Sequence, residues 1–216
     1  MKRFLCNDGS EKLPYVIRVP SEMKSKLPLV ISLHGTALCG DGSDEQLDRV
    51  EGYGFAEILP LDKEIDCILI SPQIPVNSVW PCYALILGEF VKNMIKKYDV
   101  DEDRVYLTGV SLGAYGAWYM AIQFPNLFAA IAPVAGGGIP AYAPWIKTPV
   151  WAFHGGKDEA VDVSNSIDMI EAMRKVAIVD DIRLDVIPDM GHCAELYAYC
   201  DDKLLKWFLS HKLNRD

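Results

Sequence analysis

No stretch of these 216 residues approaches the ~20 consecutive apolar side chains that cross a bilayer, and no Lys/Arg cluster is longer than Lys96-Lys97. The N-terminus, Met1 to Asp8, opens on basic residues but lacks the apolar core of a signal peptide. Lys and Arg number 21 against 30 Asp and Glu, a net charge of -9. The positive surface that a nucleic acid or an anionic membrane would require is therefore missing, and neither is expected as a partner. The 6 cysteines, Cys6, Cys39, Cys67, Cys82, Cys193 and Cys200, contain no C-x-x-C spacing, which argues against a zinc cluster or a redox pair and leaves no metal expected. Reduced thiols and the missing leader point to a cytoplasmic protein, unless a signal peptide has been removed. Half of the composition is hydrophobic (50%), enough at this length to bury one core, so residues 1–216 are expected to form a single domain. Its oligomeric state has no signature in the sequence.

Nearly continuous apolar runs alternate with amphipathic ones. The first twenty residues read as an edge hairpin around Asn7-Asp8-Gly9-Ser10, ended by Pro20. Leu27–Leu33, Cys67–Pro72, Arg104–Thr108, Ala129–Val134, Pro149–Phe153 and Arg183–Ile187 read as strands. Helices are expected over about 45–59, 83–98 with Leu85, Leu87, Phe90, Val91, Met94 and Ile95 inward, 112–123, 164–176 and 195–212. Buried strands alternating with helices predict an α/β architecture, a doubly wound and mostly parallel sheet. In such sheets ligands bind beyond the carboxyl ends of the strands, where this chain carries His34, Gln73, Ser111, Asp158 and His192.

One of those strand ends is Gly109-Val110-Ser111-Leu112-Gly113, a strand, a sharp turn and a helix with a serine at the apex. A hydroxyl is a weak nucleophile, so it must stand clear of the backbone, near a base and beside donors for the oxyanion it creates. Of the 4 histidines, His211 lies in a polar tail, and His34 and His154 each precede glycine as turn residues. His192 after the last strand is the best base. Asp158 gives the chain order Ser, Asp, His; Asp162 and Asp189 compete with it, the first as a helix cap and the second as a turn residue. The oxyanion donors expected are the backbone N–H groups of Thr36 and Leu112.

Leu33-His34-Gly35, Ser71-Pro72-Gln73 with Trp80, Arg104 to Gly113, Phe124-Pro125-Asn126-Leu127-Phe128, Pro149 to Gly155 with Asp158, and Gly191-His192 together resemble the small α/β-hydrolase serine esterases. The group is that of the phospholipase/carboxylesterases or "predicted peptidases", similar to feruloyl and acetyl xylan esterases. The resemblance implies an α/β-hydrolase fold, serine esterase activity without a cofactor, and the site Ser111, Asp158, His192 with Thr36 and Leu112. The chain departs from the pattern at Ala114, where a second glycine is usual, at Asp162, where proline is common, and at Cys193 to Leu196, where a Trp often follows the histidine.

The loop from Gly136 to Thr148 is too short for a lid domain, which predicts an open site for short acyl chains, or for acetyl or feruloyl-type esters presented on a carbohydrate or another small molecule. Trp80, Gln73 and Trp145 are the candidate substrate contacts. A peptidase or thioesterase with the same residues, or a catalytically silent binding protein, are the rival readings.

Overall fold

The computed structural model describes residues 1–52, 54–56 and 64–213. Strands β1 (Lys2–Cys6) and β2 (Tyr15–Val19) form the expected antiparallel hairpin, and β3 (Leu29–Leu33) follows. Next come α1 (Asp44–Arg49), β4 (Ile68–Pro72), α2 (Ala84–Lys97), β5 (Val105–Val110) and α3 (Leu112–Gln123). The remainder is β6 (Ala130–Val134), β7 (Val150–Gly155), α4 (Ser164–Val176), β8 (Ile182–Ile187), α5 (Glu195–Ala198) and α6 (Lys203–Leu209). All eight strands join one sheet in the order β1-β2-β4-β3-β5-β6-β7-β8. It is parallel from β4 to β8, and β2 runs antiparallel to β4.

Alternate residues of each inner strand feed two cores. Leu29, Ile31, Leu107 and Ile131 pack under α2, α3 and α4 with Phe90, Trp118 and Met169, while Val30, Tyr106, Ala130 and Phe153 meet Leu204, Trp207 and Phe208 of α6 on the opposite face. Every residue of β3, β4, β5 and β6 is buried, which is why those strands read as continuous apolar runs rather than as alternating ones. β8 lies at the sheet edge and is only partly buried.

Three expectations are corrected. The helix expected over 45–59 ends at Arg49; residues 53 and 57–59 of that reading lie outside the described residues. Leu85, expected inward, is 68% exposed, because α2 begins at Ala84 and turns Ala84, Leu87, Phe90, Val91 and Met94 to the core instead. The single C-terminal helix is two short ones. Asp201 Oδ1 accepts the Lys203 N–H at 2.8 Å, a local turn that competes with continued helix between the two, and Leu196 is exposed.

The orientation of α2 is testable by truncation. Phe90→Ala, which empties a buried site against the Tyr15 ring, is expected to cost about 3–5 kcal/mol in urea unfolding, and Leu85→Ala no more than about 0.5 kcal/mol. Equal costs would mean that the helix faces the sheet differently.

Candidate active site

The parallel strands share a direction, so their carboxyl ends bring His34, Ser111, Asp158 and His192 to one edge of the sheet. Ser111 sits between β5 and α3 with φ 55° and ψ −115°, a left-handed conformation that costs a non-glycine residue on the order of 1–3 kcal/mol. The surrounding packing enforces it. A side chain at Gly113 would collide with the carbonyls of Leu33 and His34, and one at Gly109 with the backbone of Gly113. Strand and helix can therefore meet only with glycine at both places.

The serine hydroxyl is 2.9 Å from His192 Nε2, and His192 Nδ1 is 2.8 Å from Asp158 Oδ2. A proton on Nδ1, facing the carboxylate, leaves Nε2 free to accept from Ser111 Oγ. Asp158 lies in the turn after β7, its side chain fully buried. Burial alone raises its carboxyl, but the Val161 N–H, His192 and the Ala160 N–H outweigh that and hold it below the usual carboxylate range. Oδ1 accepts both backbone N–H groups at 2.9 Å. The His192 loop is drawn against the end of β7 because Gly155 has no side chain to obstruct the Gly191 carbonyl.

The competing carboxylates are engaged elsewhere. Asp162 accepts the Ser164 N–H at 2.9 Å at the head of α4, and Asp189 pairs with Lys157 on the surface.

Ser111 and His192 open into a cavity of about 410 Å³ lined also by Leu33, His34, Gly35, Thr36, Ala37, Leu38, Gly52, Val110, Cys193 and Glu195. Thr36 begins a 3-10 turn, Thr36–Leu38, whose first N–H groups have no acceptor within the turn. Leu112 is the first residue of α3, and its N–H is likewise beyond the reach of the helix ladder, although its side chain does not line the cavity.

The three expected substrate contacts are placed otherwise. Trp80 is 1% exposed, donates its Nε1–H to the His34 carbonyl at 3.0 Å and packs on the His34 ring. Gln73 is 1% exposed, accepting the Gly42 N–H at 3.0 Å and donating to the Leu38 carbonyl at 2.9 Å. Both clamp the Thr36 loop from behind, since burial demands that their polar groups be paired internally. Trp145 is exposed and stacks on Tyr142 at 4.9 Å, in a segment that does not line this cavity.

Two histidines do more than their turn positions suggested. His34 Nε2 accepts the Ile74 N–H at 3.2 Å, and Nδ1 donates to the Gly35 carbonyl at 2.7 Å, tying the Thr36 loop to the exit of β4. Burial pushes His34 down to about 4, against a smaller opposing effect of the Gly35 carbonyl, so it is neutral near pH 7. His154, wholly buried, lies 3.3 Å from Asp158 Oδ2. A His-Gly pair after a buried strand was the available signal for both.

The family model described as "Esterase PHB depolymerase" matches residues 13–143, more than half of the chain. The chain belongs to this family. The matched stretch carries Thr36 and Ser111 and ends before Asp158 and His192. Poly(3-hydroxyalkanoate) depolymerase C of Paucimonas lemoignei is 30% identical over 151 residues, 63% of this chain and 34% of that protein. Acetylxylan esterase A of Emericella nidulans is 30% identical over 138 residues, 62% of this chain and 45% of that protein. The chain thus spans less than half the length of these curated relatives. A solved thermostable esterase superimposes with a TM-score of 0.81 at 26% identity, covering 98% of this chain and 63% of that one. The acetyl xylan esterase from Aspergillus awamori, at 17% identity and a TM-score of 0.70, shares the α/β-hydrolase fold over 96% of this chain and 99% of its own.

His34 predicts a pH dependence of stability in this family member. Its folded value near 4 lies below the ordinary 6.5, so the unfolded chain binds the proton more readily, and stability is lost as pH falls from about 6.5 toward 4. Between pH 7 and pH 5 the urea midpoint of the wild type is expected to drop further than that of His34→Gln, whose side chain does not titrate. Parallel drops would contradict the assignment.

Proposed function

We propose that this chain is a serine carboxylesterase in which Ser111, His192 and Asp158 act as a catalytic triad within a single α/β-hydrolase domain. The observation that carries the reading is the unbroken line of hydrogen bonds from the serine hydroxyl through His192 to a buried carboxylate, opening into a cavity. His192 Nε2 takes the hydroxyl proton as Ser111 Oγ attacks the ester carbonyl. Asp158 holds the ring in the tautomer that makes this possible and stabilises the imidazolium formed. The oxyanion is received by the N–H groups of Thr36 and Leu112, each at the start of a helical turn. Collapse of the intermediate expels the alcohol, protonated by His192, and leaves an acyl-enzyme. Water, activated by the same histidine, then releases the acid.

The substrates we propose are short or aromatic acyl esters borne by a carbohydrate or another small alcohol. Relatives named acetylxylan esterase and feruloyl esterase support this class, as does a cavity lined by short aliphatic and glycine residues rather than by a long acyl tunnel. The family's depolymerase members keep a polymeric hydroxyacid ester within the same chemistry.

Hydrolysis of p-nitrophenyl acetate, butyrate and octanoate by the wild type and Ser111→Ala tests the proposal. Activity falling with chain length in the wild type, and a loss on the order of 10³-fold or more in the variant, are expected. Equal rates in both proteins would remove Ser111 from the reaction. Matched thioester and amide substrates decide the reaction class, with the ester expected to be preferred.

A further inference from the structure

His154 is entirely buried at the end of β7, and its hydrogen bonds can be satisfied together in only one protonation state. Nε2 lies 2.9 Å from the Val161 carbonyl and 3.3 Å from Asp158 Oδ2, two groups that only accept, so Nε2 carries a proton. Nδ1 lies 2.7 Å from Ser166 Oγ, and that hydroxyl in turn donates to the Gly136 carbonyl at 2.8 Å. A serine has one proton. With it directed at Gly136, Nδ1 must donate as well, and the ring then holds two protons.

Charge balance leads to the same state. Among the described residues, the cationic side chains within ion-pair distance of the buried Asp158 carboxylate are His154 and His192, with no Lys or Arg between them. A buried charge without a counter-ion is costly. If His192 is the resting base, as the proposed mechanism requires, it is neutral, and the counter-ion is His154.

We propose that His154 is an imidazolium paired with Asp158 in the resting protein, and that it acts as a positioning residue for the acid of the triad. This rests on the reading of Ser111, Asp158 and His192 given above. Oδ2 accepts from His192 and lies within ion-pair distance of His154, while Oδ1 accepts the Ala160 and Val161 N–H groups, so both carboxylate oxygens are engaged. The chain of contacts runs on through Ser166 in α4 to Gly136 after β6, and so ties the Asp158 turn to two further elements. Removing the positive charge from the shared oxygen changes the electrostatic field at His192, which is the effect the pH–rate profile reads. The other ionisable groups near this cluster are Asp162, held below its ordinary range chiefly by the hydrogen bonds from Ser164, and Tyr115 of α3, raised by burial and secondarily by Asp158.

Two measurements separate this proposal from the mechanism it rests on. In Ser111→Ala, nitrogen-15 NMR of the histidine rings at pH 7, with His154 assigned by comparison with His154→Gln, is expected to show both His154 nitrogens protonated; one bare nitrogen overturns the proposal, whatever the activity. In otherwise wild-type protein, His154→Gln keeps an amide donor near the Nε2 position and removes the charge. The acid limb of its pH–rate profile for p-nitrophenyl acetate is expected to move up by about one unit. Ser166→Ala, which takes away the acceptor for the second proton, is expected to move the limb in the same direction. A lower rate with an unmoved limb in both variants would mean that His154 only supports the fold. Retained activity in Ser111→Ala would overturn the triad itself and leave the NMR result to decide His154.

Discussion

The geometry of the site depends on a close approach between α3 and the sheet at the carboxyl end of β5. Ser111 occupies a left-handed conformation because Gly113 lies directly against the carbonyls of Leu33 and His34, where a side chain has no room. That contact lifts the serine oxygen off the end of a central strand and aims the first N–H groups of α3 past it. It also brings α3 against the end of β3, where the Thr36 loop starts, so the proposed nucleophile and the proposed oxyanion donors are set by a single packing event.

Around this turn the remaining loops are held by buried polar side chains. His34, Trp80 and Gln73 bind the backbone of residues 34–42 from the inside, each with a hydrogen bond to a main-chain group. Backbone donors serve as an oxyanion hole only when their direction is fixed before substrate arrives, and these contacts fix the direction of the loop that carries the proposed Thr36 donor. On the other side, Asp158 is surrounded by two N–H groups and two imidazoles. The site is therefore supported by a layer of buried polar contacts nearly as specific as the residues that would meet a substrate.

The relatives and the geometry inform different parts of this account. The family match spans Thr36 and Ser111 and ends before the residues that complete the hydrogen-bonded line, whereas the structure brings Asp158 and His192 to the serine from the far end of the chain. Sharing a sheet edge is what allows residues 34 to 192 to meet. Because these groups lie on loops at one sheet edge, the residues that line the cavity can vary without disturbing the sheet that positions the site.

Local chemistry made much of this legible in the sequence. The glycine-flanked serine, the buried apolar strands and the Ser, Asp, His order each depend on neighbours within a few positions, and the apolar runs specify a parallel sheet because only strands covered on both faces can be apolar throughout. Side-chain direction is different, since it depends on what packs behind a residue. An aromatic or an amide in a loop reads the same whether it faces substrate or core, so the sequence points Trp80 and Gln73 at the cavity although burial turns both inward. Leu85 and the broken C-terminal helix follow the same rule: periodicity finds a helix, but its packing partner and local turn contacts decide its face and its end. The sequence by itself determined which residues could do chemistry and on which sheet edge they would gather. Only the tertiary structure decided which oxygen His192 and His154 share, because that depends on contacts between residues far apart in the chain.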